Sequence, residues 1–441
     1  MKFYRLNLSK IGALIFFFSL VCLISCSDKK IDRPPNIVFI LADDLGTEVL
    51  GSYGGETYQT PNIDKLANEG IKFTHCYSSP VCSPSRVNLL TGRYGFRTGQ
   101  QWGKLPKDEI TIAQVLKKAG YKTAVAGKWQ MALLKDHPNH IAESGFEESC
   151  VFGWHEGPRY YEPMIYQNGK VRDDVKDKFG PDVYTDFLIN FMKENKDSSF
   201  FVYYSMTLAH DISNDLETPP PPAPDGKYHS YKELVELADK YAGKLISSID
   251  ELGLRENTLI LFAGDNGTPY RFITEVKDGK YIREPVYSEI DDSLVRGGKS
   301  FMTDAGTHVP LIANWKGVTK PVSTDNSLID FSDFFPTFIE LANAEMPKDR
   351  IIDGRSFLNQ ITGEGGESRH WVYVIWEKDS WIRTQRWKLY NNGNLFDMEN
   401  DPYEKSPLTA DNDNQESASA REFLSIEMQK LTGKSDEVLN E

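Results

Sequence analysis

The chain has 441 residues, 26% of them charged and 40% hydrophobic, with a formal net charge of −14. This length exceeds one typical core and predicts a large domain with a smaller companion, and the ordinary apolar content excludes extended disorder. The acidic balance excludes nucleic acid as a partner and repels polyanions at long range, so any anionic polymer must be captured by local cations.

At the N-terminus, Lys2, Arg5 and Lys10 precede an apolar run over residues 11–24, which is short for a membrane span and suits an export signal. Leu23-Ile24-Ser25-Cys26 resembles the bacterial lipobox. That resemblance implies a signal peptide over residues 1–25, a tether over 26–33 and lipid on Cys26 that holds the chain to a membrane. The chain is then an exported bacterial lipoprotein of the outer membrane, facing the periplasm or the cell surface. A simple secretory signal and an uncleaved anchor are the alternatives.

From Pro34 onward, strand-like and helical runs alternate, as expected of an α/β sandwich. Residues 36–42, Asn-Ile-Val-Phe-Ile-Leu-Ala, predict a buried strand that ends in Asp43-Asp44. Paired carboxylates after a central strand suit a hard cation, although Asp-Asp alone also fits a solvated turn. A helical run over 63–70 leads to Cys82-Ser83-Pro84-Ser85-Arg86, followed by Thr91-Gly92-Arg93. Pro84 suits the first turn of a helix, so Cys82 is expected just before a helix N-terminus, with free N–H groups and two guanidinium forks facing any anion.

Further along, a helix over 112–120 and a strand over 121–125 precede Ala126-Gly127-Lys128-Trp129. Trp154, His155, Arg159, Tyr160 and Tyr161 form an aromatic and basic cluster that fits either a sugar platform or ordinary packing. A strand over 200–205 precedes His210, and prolines over 218–226 form a stiff loop. A helix over 231–252 leads to a second buried strand over 258–263, ending in Gly264-Asp265-Asn266-Gly267. Asp43, Asp44, Asp265 and Asn266 together make an all-oxygen set that favours calcium or magnesium over zinc. Gly298-Lys299-Ser300 has the end of a nucleotide phosphate loop, but the glycine required five positions earlier is Ser293. Glycine and polar residues over 353–367 mark a boundary. Beyond it, four short strands are expected over 371–376, 380–384, 387–390 and 394–397, with Asn392-Gly393 as a hairpin turn and a closing helix over 422–431. The sequence leaves open whether Cys76 and Cys150 pair.

Cys-x-Pro-Ser-Arg followed by Thr-Gly-Arg resembles the signature of the formylglycine-dependent (type I) sulfatases, arylsulfatase-like members of the alkaline-phosphatase-like superfamily. Gly127-Lys128-Trp129, the later His210, Lys299 upstream of Val309-Pro310-Leu311, and Leu395-Phe396-Asp397 with Asp401-Pro402-Tyr403-Glu404 match it as well. The resemblance covers nearly the whole mature chain. It implies an alkaline-phosphatase-like α/β sandwich with a central mixed sheet over 34–360, and a C-terminal α+β subdomain with a four-stranded antiparallel sheet over 368–435. It also implies that Cys82 is oxidised to formylglycine by a formylglycine-generating or anaerobic maturating enzyme, and that one calcium ion is held by Asp43, Asp44, residue 82, Asp265 and Asn266.

The remaining roles follow from the same resemblance. The hydrated aldehyde of residue 82 attacks sulfur, Asp265 draws its proton, Arg86 steadies it, Lys128 offsets charge on the sulfuryl group, and Lys299 or His210 protonates the leaving oxygen. The family's usual Gly-Lys-Trp-His reads Gly-Lys-Trp-Gln here, and Gln130 can hydrogen-bond but cannot act as a general base. Gln130, Trp154, His155, Arg159 and Tyr160 are the candidate substrate contacts, and a sulfated carbohydrate is the expected partner. Two other readings stand beside this one. A phosphomonoesterase or phosphodiesterase of the same fold would use His210 and His308 around a second metal, and a non-catalytic glycan-binding lipoprotein would account for Gln130.

Overall fold

The computed structural model describes Met1 and residues 33–433, apart from positions 214, 215, 217 and 291. The export signal, the lipobox with Cys26 and all of the tether but Arg33 lie outside the described residues.

A ten-stranded mixed sheet organises the fold, and its centre follows from β1 (Asn36–Ala42), a run of seven residues that is wholly buried. Alternate side chains of β1 feed two separate cores. Val38, Ile40 and Ala42 enter the core on one face, and Ile37, Phe39 and Leu41 enter the other. This is why the run is continuously apolar instead of alternating with polar residues. The other strands of the sheet are β2 (Ile71–Tyr77), β3 (Lys122–Gly127), β4 (Glu148–Phe152), β5 (Ile165–Gln167), β6 (Lys170–Val171), β7 (Phe200–Ser205), β8 (Thr258–Gly264), and the later strands His308–Trp315 and Ser323–Asp330. Two polar hairpins precede those last two: β9 (Arg271–Lys277) with β10 (Lys280–Pro285), and β11 (Tyr287–Ile290) with β12 (Ser293–Arg296). His308–Trp315 is therefore β13 and Ser323–Asp330 is β14. The order across the large sheet is β14-β2-β13-β8-β1-β7-β3-β4-β5-β6.

Strand direction places the site. β7 and β8 run parallel to β1, and β3 runs parallel to β7. β13 is antiparallel to both β8 and β2, so β2 runs with β8. β4 runs with β3 and β14 with β2, so the carboxyl ends of seven strands, and the start of β13, share one edge of the sheet, where open α/β sheets form their clefts.

Helices cover both faces. Pro61–Asn68 (α1) packs against the long Tyr231–Glu251, whose start is fixed by a capping box between Ser230 and Glu233. Cys82–Thr91 (α2) starts at Cys82 itself with Val81 as its cap, one residue earlier than expected, which puts Pro84 at the third position. The missing proline N–H has no intrahelical partner to lose there. Ile112–Lys118 (α3) begins with a capping box between Thr111 and Gln114.

The expected small sheet is present as β15 (Val372–Trp376), β16 (Asp379–Arg383), β17 (Trp387–Tyr390) and β18 (Leu395–Asp397), all antiparallel. Its closing helix, Gln415–Thr432, begins a full two turns before the expected start because Asn414 caps it. Cys76 and Cys150 are free and lie in opposite cores, so they do not pair.

Two buried ionic clusters fasten the small sheet to the large one. Arg369 meets Asp333 through Nε at 2.8 Å, Asp330 through Nη1 at 3.1 Å, and the Tyr94 hydroxyl at 3.2 Å. In the second, Lys388 joins Asp304 at 2.8 Å and Glu404 at 2.9 Å, while Arg383 holds the other Asp304 oxygen at 2.6 Å. Removing one partner of a buried pair strands the other charge. Arg369→Leu is therefore expected to cost about 3–5 kcal/mol in denaturant unfolding; a loss below about 1 kcal/mol, the size of a surface pair, would contradict a buried junction.

Near the second cluster, His75 faces His308 with ring centroids 6.3 Å apart. Burial first, then His308 and Arg383, push His75 from its ordinary 6.5 down to about 4, with Asp304 pulling the other way. The folded chain then binds fewer protons than the unfolded chain between those values, so this contribution is complete above pH 6.5 and is lost as pH falls toward 4. His75→Gln is expected to shrink the drop in melting temperature between neutral and mildly acidic pH, and identical drops in parent and variant would refute the assignment.

Candidate active site

The shared edge carries a buried knot of opposite charges. Asp43 and Asp44 extend β1, and Asp265 and Asn266 extend β8 one strand away. Lys128 follows β3, His210 follows β7, and Cys82 opens α2 after β2. Asp43 is locked in place by its backbone, which donates to the Leu208 carbonyl and accepts from Ala209, both at 2.7 Å. Asp44 adopts a left-handed backbone, φ 62°, that turns its carboxylate back toward Asp43. Such conformations cost energy in a non-glycine residue and concentrate at functional sites. Gln130 (φ 52°) and Ser300 (φ 75°), beside Lys299, share it.

The Cys82 thiol donates to Asp43 Oδ1 at 3.2 Å and to Asp44 Oδ1 at 3.6 Å. Lys128 Nζ donates to both Asp43 oxygens, at 2.7 and 2.9 Å. Lys299 Nζ lies 2.6 Å from Asp44 Oδ1. Arg86, fully buried, binds Asp265 Oδ2 through Nε at 3.0 Å and Nη2 at 2.6 Å, and its Nη1 reaches Ser205 Oγ. His210 Nε2 stands 3.8 Å from Asp44 Oδ2. Its Nδ1 is 3.0 Å from the Asp211 carbonyl, which can only accept, so Nδ1 carries the proton and Nε2 is left as an acceptor.

These contacts set the charge states. Burial alone would raise the Asp43 carboxyl, but Lys128, followed by His210, Arg86 and Lys299, holds it well below the usual carboxylate range. Asp265 goes the other way: burial and then Asp43 push it up to about 6, against the pull of Arg86. Burial, with Asp265 and Asp43, pushes the Cys82 thiol well up.

The donor set fits a metal ion. Ligand atoms of Asp43, Asp44, Cys82 and Asp265 lie within 4.8 Å of one another, and a second group, Asp43, Cys82 and His210, shares two of those members. Asn266 donates through Nδ2 to Asp44 and to the Gly267 carbonyl, both at 2.9 Å, while its buried Oδ1 has no partner. A buried carbonyl oxygen left unpaired beside three carboxylates has the chemistry of a cation ligand. Both groups describe one centre, and among the described residues His308 belongs to neither. Instead His308 Nε2 donates to the Thr74 carbonyl at 2.7 Å, and the ring stacks on Tyr77. The second-metal arrangement that a phosphoesterase reading requires is not formed by these histidines.

The aromatic and basic cluster divides. Tyr160 is buried, its hydroxyl spent on the Thr207 and His210 carbonyls at 2.8 and 2.6 Å, so it positions the His210 loop and offers no open face. Tyr161 packs on Phe179 and reaches His229. Arg159 alone enters the centre. Its Nη1 is 3.8 Å from Asp43, its Nη2 donates to the Ser213 carbonyl at 2.6 Å, and its buried Nε and Nη1 have no hydrogen-bond partner. Trp154 and His155 lie ring beside ring at a tilt, 3.9 Å between centroids, and line a groove together with Met131. The Gln130 carbonyl accepts from Ser83 Oγ at 3.2 Å, and its buried side-chain oxygen has no partner.

Sequence reasoning missed two supporting hydroxyls. Tyr231, at the start of the long helix, donates to the Asp44 carbonyl at 2.7 Å, and Thr268 Oγ1 accepts from Gly46 N at 3.2 Å, bracing the turn after Asp44. Neither lies in a recognisable motif. Only strand order brings them to the site.

Comparison with known proteins agrees with this geometry. Residues 35–344 match the Sulfatase family model, and residues 297–432 match the one described as N-sulphoglucosamine sulphohydrolase, C-terminal. Arylsulfatase G of Mus musculus is 32% identical over 392 residues, covering 79% of this chain and 73% of its own. An arylsulfatase of Hemicentrotus pulcherrimus is 30% identical over 387 residues, covering 81% and 67%. Among solved structures, Ps i-CgsB is 26% identical with a TM-score of 0.72, covering 90% of this chain and 92% of its own, and it is also known in complex with k-i-k-neocarrahexaose. With a match over most of its length and the family's charged centre assembled at one sheet edge, this chain belongs to the sulfatase family, the sulfuric ester hydrolases.

Proposed function

We propose that this enzyme removes sulfate from carbohydrates, using formylglycine made from Cys82 and one calcium ion. The observation that carries the reading is the Cys82 side chain within 3.6 Å of two carboxylates that four cations surround. A carbohydrate substrate is supported by the similarity to Ps i-CgsB, solved with k-i-k-neocarrahexaose.

Asp43, Asp44, Asp265 and Asn266, with residue 82, would hold the ion. An all-oxygen set of this kind suits calcium, and oxidation of Cys82 replaces its one soft ligand with oxygen. When present, the ion supplies Lewis-acid charge and the formylglycine hydrate supplies the attacking hydroxyl.

The chain's own residues do the rest. Arg86 fixes Asp265, and together they orient residue 82 at the head of its helix. Asp265, raised by its surroundings, takes the proton of the attacking hydroxyl. Lys128 and the unpaired N–H groups of Arg159 receive charge on the sulfuryl oxygens, in a buried setting where such donors act strongly. Lys299, partly exposed and paired with Asp44, faces the leaving oxygen as donor. His210 Nε2, an acceptor by its tautomer, would take the proton of the second hydroxyl of residue 82 as the bond from that residue to sulfate breaks and the aldehyde re-forms, the base role that Gln130 cannot fill. Export as a lipoprotein through Cys26 would place this chemistry at the cell envelope, where polymeric glycans are met.

Two outcomes are expected. Protein made together with a formylglycine-generating enzyme shows the thiol-to-aldehyde mass loss in the peptide spanning Cys82 and releases sulfate from sulfated sugars. Cys82→Ala loses that release by about 10⁴-fold or more. An unconverted thiol accompanied by phosphate release from aryl phosphates would refute the proposal. Chelation of the matured enzyme abolishes turnover and calcium restores it better than zinc; full activity after exhaustive chelation would sink the metal assignment.

A further inference from the structure

Beside the centre runs an open groove of about 360 Å³ that the chemistry above does not use. Its volume lies in the range of small-ligand sites. The groove is built onto the residue after Cys82: Gly103 N donates to Ser83 Oγ at 2.8 Å, the same hydroxyl that donates to the Gln130 carbonyl, and Leu105 N donates to the Met131 carbonyl at 2.9 Å. Trp154 forms one wall by lying against Gly103. A Cβ at that position would come within 2.1 Å of the indole, so the contact requires glycine.

Its lining joins aromatic faces to unneutralised cations. Trp102 is 46% exposed at the rim and meets Trp376 of the small sheet edge to face, 6.4 Å between centroids. Lys104 and Lys107 are exposed and have no ion-pair partner among the described residues, and His137, His140 and His155 also line the groove. Asp136 is the one carboxylate of the lining. In a chain of net charge −14, such a patch is a local reversal of sign.

The ester to be cleaved must lie in the buried centre, so Lys104 and Lys107 meet a different charge. We infer that this groove is a subsite for the neighbouring sugar of an anionic oligosaccharide, with Trp102 stacking on the ring and Lys104 and Lys107 binding a second sulfate or carboxylate. The inference rests on the sulfatase reading and narrows it to polyanionic glycans, as against singly charged small esters. Amphipathic indole faces suit sugar rings, and exposed ammonium groups give a salt-sensitive attraction.

The test is calorimetric binding to the full chain carrying Cys82→Ala, with a heparin-derived tetrasaccharide and its chemically desulfated counterpart as probes. The sulfated probe is expected to bind at least about tenfold more tightly at low salt, and high salt narrows that gap. Adding Lys104→Ala with Lys107→Ala removes about tenfold of the affinity for the sulfated probe, while Trp102→Ala weakens both probes; unchanged melting temperatures show that the variants fold. In the matured enzyme, the same double lysine variant lowers by about tenfold the ratio of kcat/KM for the sulfated tetrasaccharide over that for 4-nitrophenyl sulfate. Equal affinity of parent and double variant for the sulfated probe overturns the subsite. A matured enzyme that releases sulfate from no ester would defeat the sulfatase reading, whereas the binding comparison decides the subsite by itself.

Discussion

Everything in this site depends on keeping three buried carboxylates together. Asp43, Asp44 and Asp265 are almost wholly buried at the ends of neighbouring parallel strands. Like charges so close are mutually repulsive, and burial compounds the cost. Arg86, Lys128, Lys299 and Arg159 supply the opposing charge, each from a different segment of the chain. The centre is thus a lattice of alternating sign in which each carboxylate is paired with a cation and each cation is aimed by a carboxylate. A divalent ion held by these carboxylates would add positive charge to that lattice and leave the cations free to meet an anion. The same excess gives a sulfate ester a reason to enter a chain that is acidic overall.

The fold makes this arrangement possible through direction. Strands that run the same way deliver their following residues to one edge, so short loops after β1, β3, β7 and β8 converge without long excursions. β13 runs the opposite way and begins at that edge, which brings the Lys299 loop to the same place. Left-handed backbone at Asp44, Gln130 and Ser300 then turns individual side chains that a regular strand exit would have pointed elsewhere. The small sheet, fastened by Arg369 and Lys388 through buried ionic clusters, contributes Trp376 to the rim of the neighbouring groove, so the junction between the two sheets also shapes what reaches the centre.

Much of this was legible in the chain, for identifiable reasons. β1 and β8 announce themselves because a strand buried on both faces must be apolar throughout, and the polar residues that end such runs stand out. The four strands of the small sheet are separated by turn residues, Asn392-Gly393 among them. β13 was visible only as Val309-Pro310-Leu311, since proline argues against a central strand. The structure resolves the conflict by placing Pro310 in a register shift of the pairing with β2, where a missing N–H costs no ladder bond. The hairpins β9 to β12 are polar along most of their length and carry no core signal. At the site, the acidic cluster and the two lysines were within reach of motif reading, whereas the difference between Arg159 and its neighbour Tyr160 was not. Adjacent residues in one irregular segment point one into the acid centre and one into the wall, and no spacing rule orders a loop. The gap at Lys104 has the same origin, whereas Tyr231 was missed because only strand order brings its helix to the site.

The account stands on residue 82 and the oxygen ligands forming one metal-holding centre. A crystal structure of the matured enzyme, with anomalous scattering to locate the ion, examines that directly. The expected result is an aldehyde or its hydrate at position 82 and a single calcium ion contacted by Asp43, Asp44, Asp265 and the Oδ1 of Asn266, with Lys128 and Lys299 turned toward an anion above it. An ion bound elsewhere, or an intact Cys82 thiol over an empty acid cluster in active protein, would contradict it.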